Sequence, residues 1–159
     1  MIFDKGGIYP LKPPDVYIDD TRTEKRFGVY ANRAFDKGEV VEKCPVVLFE
    51  MPFNNLPESI KERIFDWEVL AKTESKTKNM HAIALGFGSM YNHDNPSNMR
   101  YEADPKNRIL KFITVRPITK AEELTINYNA KGGGSTWHDN NWFKRRKKIP
   151  LTISNRNGA

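Results

Sequence analysis

The 159-residue chain has one cysteine, Cys44, and three histidines, His81, His93 and His138. One thiol makes no intramolecular disulfide and cannot build a cysteine-cluster zinc site. The histidines share no ligand spacing, so no metal is expected. Cys44 ends a β-rich run and reads as a buried structural thiol, the alternative being a nucleophile paired with a distant histidine. A reducing, intracellular compartment is the expectation, with nucleus of a host and cytoplasm not distinguished. No run of about 18 apolar residues occurs, so no membrane span and no membrane partner are expected. The opening MIFDKGGIYP lacks the long apolar stretch of a secretory signal. The glycine runs GFG and GGG lack the strand–loop–helix context of a phosphate cradle. Internal repeats and regular βαβ alternation are also missing, which argues against a Rossmann fold.

What is present suffices for one domain with a core: 38% hydrophobic residues, among them 3 Trp, 6 Tyr and 9 Phe. The net charge is +6, and KRRKK at 144–148 carries most of it, leaving the remainder close to neutral. That block reads as a solvated basic tail, or as a handle for a polyanion such as nucleic acid. Residues 1–14, rich in Pro and Gly, read as an irregular arm. RFGVYA (26–31), FDKGEVVEK (35–43, after a Lys37-Gly38 turn) and PVVLFEM (45–51) read as strands. In 57–73, Ile60, Ile64, Trp67 and Leu70 recur at helical spacing behind Pro57, which predicts one helix. SKTKN (75–79) reads as a polar loop, and MHAIALGFG (80–88) as a buried strand or a short helical turn. NMRYEA (98–103), RILKFITVRPI (108–118) and ELTINY (123–128) read as three further strands. NAKGGGST reads as a flexible loop, and WHDNNWFKRRKKI as a terminal helix. The fold class is mainly β.

Three segments carry the chemistry: KRFGVYANRAFDKGEVV, ALGFGSMYNHDNPSN and RPITKAEELTINY. In this order they resemble the SET-domain lysine methyltransferases. That family has a glycine-containing cofactor strand followed by KGE-V, then an NHSCxPN motif, then GEELTxxY. Order and spacing agree over roughly residues 25–128. The run MxAxALGFGxxxNH is most similar to the very small SET proteins of viral type. Three departures stand out: Arg26 replaces the first glycine of the signature, Phe27 stands where small members often carry tyrosine, and Pro96 falls one place early, although Asn98 matches the final asparagine.

The resemblance implies a SET-domain (β-clip) fold of several small sheets, with a C-terminal pseudoknot and one helix in a variable insert. The SET domain would span 15–143 with its insert at about 52–79, followed by a basic tail at 144–159. It implies S-adenosylmethionine-dependent methylation of a lysine in a protein, with a histone or histone-like protein as the partner. Tyr128 would orient the amine at the neck of the lysine channel and also touch the cofactor. Taken alone, Tyr128 would be a core tyrosine at a strand end. Arg26, Phe27, Gly28, Val29, Tyr30, Asn92, His93 and Trp137 would hold the cofactor. Trp137, Trp142 and Phe143 stand where other members place a zinc-binding cysteine cluster. One of the three would cover the adenine, or they would anchor the tail. Tyr91 and Trp67 would wall the lysine channel, with core packing the other reading of Trp67. A homodimer is the expectation from the small viral-type members. Two other readings stay open: an inactive SET-like binding module, and a nucleic-acid-binding β domain using the basic block.

Overall fold

The computed structural model describes residues 9–72 and 79–136. The predicted terminal helix, Trp137, Trp142, Phe143, the basic block and most of the 75–79 loop lie outside them. Nine strands are described: β1 Val16–Asp20, β2 Phe27–Ala31, β3 Val40–Glu50, β4 Ile64–Asp66, β5 Met80–Ala84, β6 Asn92–His93, β7 Met99–Asp104, β8 Ile109–Thr114 and β9 Thr125–Ile126. The helices are α1 Glu58–Lys61 and α2 Trp67–Ala71, with short 3₁₀ turns at Phe53–Asn55 and Gly88–Met90. An antiparallel five-stranded sheet has the order β4-β5-β3-β8-β7, an antiparallel pair joins β1 to β2, and a parallel pair joins β6 to β9. This is the expected mainly-β architecture of several small sheets.

The segments on either side of Pro45 form one strand rather than two. Val40–Pro45 pairs with β8, and Val46–Glu50 pairs with β5 on the other side. Pro45 has no N–H to give, and it sits where the strand changes partner, so the missing donor falls at a seam between ladders. β1, which the sequence reading left in the region after the arm, pairs residue by residue with β2 from Val16↔Ala31 to Asp20↔Phe27.

The single helix predicted over 57–73 is a correction. The segment makes two short helices separated by β4, so the insert carries two helices rather than one. Ile64 pairs with Ile83 and Phe65 with Ala82, and the buried Phe65 ring packs edge-on against Tyr101 and Phe112. A ladder with β5 plus this aromatic contact outweighs helical periodicity, which is a weak preference over so few residues. Asp66 then caps α2 by accepting from the Val69 N–H at 3.4 Å.

The core runs between the large sheet and the crossing strands. Val29, Met99, Leu110, Phe112, Leu124 and Ile126 are at most 1% exposed. ELTINY, predicted as a full strand, is regular only at Thr125–Ile126. Its flanks are held differently: Leu124 N donates to the Val29 carbonyl, and Tyr128 N donates to the His93 ring.

The crossing at 92–98 and 123–128

The two-residue ladder Asn92↔Thr125, His93↔Ile126 is too short to hold by itself, and buried side chains complete it. Asn98, 3% exposed, donates through Nδ2 to the Glu123 carbonyl at 2.7 Å and accepts through Oδ1 from Thr125 N at 2.8 Å. Thr125 Oγ1 in turn accepts from Asn98 N at 3.2 Å. An amide suits this position because it presents one donor and one acceptor to a backbone that offers one of each. Asn92 reaches the opposite way: its Nδ2 donates to the Phe27 carbonyl at 2.8 Å and ties the start of β2 to the crossing. The loop after β9 is also anchored, contrary to its reading as flexible. Tyr101 N donates to the Gly133 carbonyl, and Ser97 N to that of Ser135. At Gly133 the backbone has φ +91°, and a Cβ there would lie 1.9 Å from the Tyr101 carbonyl oxygen, so only glycine fits.

Candidate active site

Tyr91 and Tyr128 share the wall of a cavity of about 370 Å³, closed on other sides by Phe65, Asp66, Tyr101 and Ile126. Charged residues of the insert, Lys61, Glu62 and Arg63, stand around it with Lys131. The Tyr128 hydroxyl donates to the Tyr91 carbonyl oxygen at 2.7 Å. Its backbone N–H donates to His93 Nδ1 at 3.0 Å, and the two rings lie 5.2 Å apart. Tyr128 is thus fixed at both ends by neighbours in the motif MYNH, with the ring half-buried between them. The carbonyls behind it are fixed as well: the buried Tyr101 hydroxyl donates to the carbonyls of Asn127 and Ala130 at 3.2 and 2.8 Å. Burial pushes the Tyr101 phenol up, so it remains a neutral donor.

Tyr91 is 1% exposed, and its hydroxyl donates to Glu42 Oε1 at 2.7 Å. Glu42 Oε2 accepts from the Phe87 N–H at 3.0 Å. Burial raises the Glu42 carboxyl above its usual range, opposed by the hydrogen bonds from Phe87, Tyr91 and Cys44. Burial also pushes the Tyr91 phenol up, and the neighbouring Glu42 charge adds to the effect. Cys44 is fully buried, and its thiol is pushed up by burial first and then by Glu42, in keeping with a structural thiol.

On the other side of the crossing lies the segment read as cofactor-binding. Arg26 sits at φ +63°, the left-handed region that the family's glycine adopts freely, with its guanidinium 5.8 Å from the Phe27 ring centre. Phe27 is 56% exposed, and its carbonyl accepts from the buried Asn92 side chain. Gly28 is closely packed: a Cβ there would lie 2.8 Å from Thr21 Cγ2. Lys25 Nζ donates to the His93 carbonyl at 2.9 Å. The crossing therefore brings together Arg26, Phe27, Gly28, Asn92, His93, Tyr91 and Tyr128. Val29 and Tyr30, the other two expected residues of the cofactor strand, turn their side chains to other neighbours. Val29 is wholly buried in the core, and Tyr30 stacks on Tyr17 at 5.7 Å. The Tyr30 phenol is raised by burial and then by Glu123 and the acids of β1. Trp67 is 5% exposed in the core cluster and does not line the cavity, the core-packing alternative of its two readings. Trp137 lies outside the described residues. Among the described residues no group of His, Cys, Asp and Glu could hold a metal ion.

The sequence motifs do not single out Glu42, Asn98, Tyr101 and Asn129 as site residues. Among the described residues, none pairs with the side-chain oxygen of Asn129, which is adjacent to Tyr128 in sequence and 95% buried. Asn98 was visible as the last residue of NHDNPSN. Nothing in the local pattern separates Glu42 from a surface charge.

The chain belongs to the SET-domain family, whose model matches residues 26–129. It is 28% identical over 148 residues to the histone-lysine N-methyltransferase, H3 lysine-37 specific, of Schizosaccharomyces pombe, covering 91% of this chain and 88% of that protein. Among solved structures it resembles a candidate histone methyltransferase of Plasmodium falciparum, with TM-score 0.57 and 20% identity, over 76% of this chain and 96% of that one. It also resembles part of an active polycomb repressive complex 2 in the basal state, with TM-score 0.56 and 18% identity, over 73% of this chain but 15% of that one. The structural likenesses share the fold. Family and curated relative together make the chain a protein-lysine N-methyltransferase by class.

Proposed function

We propose that the chain transfers the methyl group of S-adenosylmethionine to a lysine of a histone, with Tyr128 as the catalytic residue. The observation that carries this reading is the Tyr128 hydroxyl held on the Tyr91 carbonyl at the cavity wall. Its proton is committed to that carbonyl, so toward the cavity the oxygen offers only lone pairs. It then accepts an N–H from a neutral lysine amine and leaves the nitrogen lone pair free to point along the line of attack. With S-adenosylmethionine bound, an amine held this way would take up the methyl group with its lone pair, leaving a thioether, and would release its proton to water. The same fixed acceptor does nothing for an amine in any other orientation, so its contribution is positional.

The residues around the crossing fit the cofactor. An exposed Phe27 offers a flat apolar face, the backbone around Gly28, Asn92 and His93 supplies donors and acceptors, and the buried oxygen of Asn129, unpaired among the described residues, suits a ligand N–H donor. Arg26 and Lys25 add positive charge suited to a carboxylate. When bound, S-adenosylmethionine supplies an electrophilic methyl on a sulfonium. The backbone of Val29 and Tyr30 would continue the strand alongside the cofactor, and Trp137 would add a cover from the segment that follows. The histone substrate is supported by the curated relative's activity, and it would place the protein's action at chromatin. Incubation with methyl-labelled cofactor and recombinant histones, read by mass spectrometry, tests the proposal. Labelled histone lysines are expected, and cofactor binding without transfer to any lysine would instead mean a binding module.

A further inference from the structure

We propose that Glu42 is a positioning residue of the methyl-transfer site: its buried carboxyl fixes the Tyr91 ring and, through the Tyr91 carbonyl, the hydroxyl of Tyr128. This rests on the proposed role of Tyr128. A carboxylate taken out of water is costly, and Glu42 is 6% exposed on a strand whose next residue, Lys43, faces solvent. It is retained in the interior by two donors that arrive from one stretch of chain, the Phe87 N–H on Oε2 and the Tyr91 hydroxyl on Oε1. The three residues between Phe87 and Tyr91 in the GFGSMY turn are thereby clamped between two bonds to one side chain. The surroundings are shaped to admit it. Gly86 has φ +71°, and a Cβ there would lie 2.5 Å from Glu42 Oε2. A Cβ on Gly88 would lie 2.5 Å from Ala84 Cβ and 2.8 Å from Cys44 Sγ. The turn therefore has little room to move while Glu42 is in place.

The consequence reaches Tyr128 through one atom. The Tyr91 carbonyl is the acceptor for the Tyr128 hydroxyl, and the Tyr91 ring is held against Phe112 with centroids 4.8 Å apart and pinned at its far end by Glu42. Releasing that far end frees the ring to shift and carries the carbonyl with it. A misplacement of about 1 Å at a reacting group costs on the order of 100-fold in rate.

Glu42→Gln is the sharpest probe because it keeps shape while offering one acceptor oxygen to two donors. One of the two must then face an NH₂ group. Tyr91→Phe cuts the same link from the other side and guards against a folding failure of the first variant. Each is combined with Tyr128→Phe, and single-turnover transfer from radiolabelled S-adenosylmethionine to histone H3 is measured beside cofactor affinity by calorimetry and the urea unfolding midpoint. Expected in the Tyr128 parent is a fall in kcat of roughly 10–100-fold, with cofactor affinity and peptide KM within twofold. In the Tyr128→Phe background the same changes should have little further effect, since the hydroxyl they position is gone. Equal losses in both backgrounds, losses in KM alone, or full kcat in both single variants would overturn the proposal. A wild-type chain that transfers no methyl group would instead remove the proposed function beneath it.

Discussion

In the proposed mechanism Tyr128 acts through its hydroxyl, which donates to the Tyr91 carbonyl, while its backbone and ring contacts with His93 do not involve that oxygen. Tyr128→Phe is expected to keep the unfolding midpoint and cofactor affinity while lowering transfer by roughly 10²–10³, the usual loss for one oriented dipole. Turnover near that of the wild type would take Tyr128 out of the mechanism. Glu42 gives a second residue-level expectation, in stability. Its carboxyl is raised above 4.5 by burial. The folded protein therefore binds a proton that the unfolded chain has released, in the window between 4.5 and the raised folded value. Across that window the wild type loses stability relative to Glu42→Gln as pH rises, and outside it the difference is flat. Urea unfolding of both proteins over that range checks the sign, and a difference that moves in the wild type's favour with rising pH would contradict the assignment. His93 was expected to hold the crossing as much as to meet the cofactor, and its ring accepts the Tyr128 N–H.

At the scale of elements, the parallel pair β6–β9 is two residues long and depends on Asn98. Asn98→Ala leaves the Glu123 carbonyl and Thr125 N–H without their buried partner and is expected to cost about 1–3 kcal/mol in chemical denaturation. An unchanged midpoint would mean the ladder holds without it. Gly133→Ala drives a Cβ into the Tyr101 carbonyl and should both destabilise the chain and lower kcat, because the loop it displaces includes the Tyr101 contacts behind Tyr128. A variant with wild-type midpoint and kcat would show that the loop has slack. The strands were legible where alternation and turn residues agree, as in FGVYA and RILKFIT, and the crossing was legible through the MYNHDNPSN and EELTINY motifs. The insert was not. Ile64, Trp67 and Leu70 keep helical spacing, yet Phe65 is claimed by Tyr101 and Phe112, far along the chain. Glu42 was hidden for the same reason: its partners lie 45 and 49 residues away, and only folding shows that a charge beside Lys43 faces inward.

Over the whole molecule, the large sheet supplies a rigid back and the crossing stitches the two segments that bear the site onto it. The insert and Lys131 bring both signs of charge around the cavity that Tyr128 lines, while Lys25 bonds the His93 carbonyl and Arg26 lies near the Phe27 ring. The net charge of +6 rests largely on KRRKK, outside the described residues. The central claim is that this arrangement methylates a histone lysine with Tyr128 as its orienting group. It is tested most directly by incubating the full chain, and separately Tyr128→Phe, with methyl-labelled S-adenosylmethionine and recombinant histone H3, then locating the label by tandem mass spectrometry. The account predicts label on a lysine of H3 with the wild type and, with Tyr128→Phe, a rate roughly 10²–10³ lower at unchanged cofactor affinity. Equal labelling by the two proteins, or cofactor bound by both and no lysine labelled by either, would contradict it.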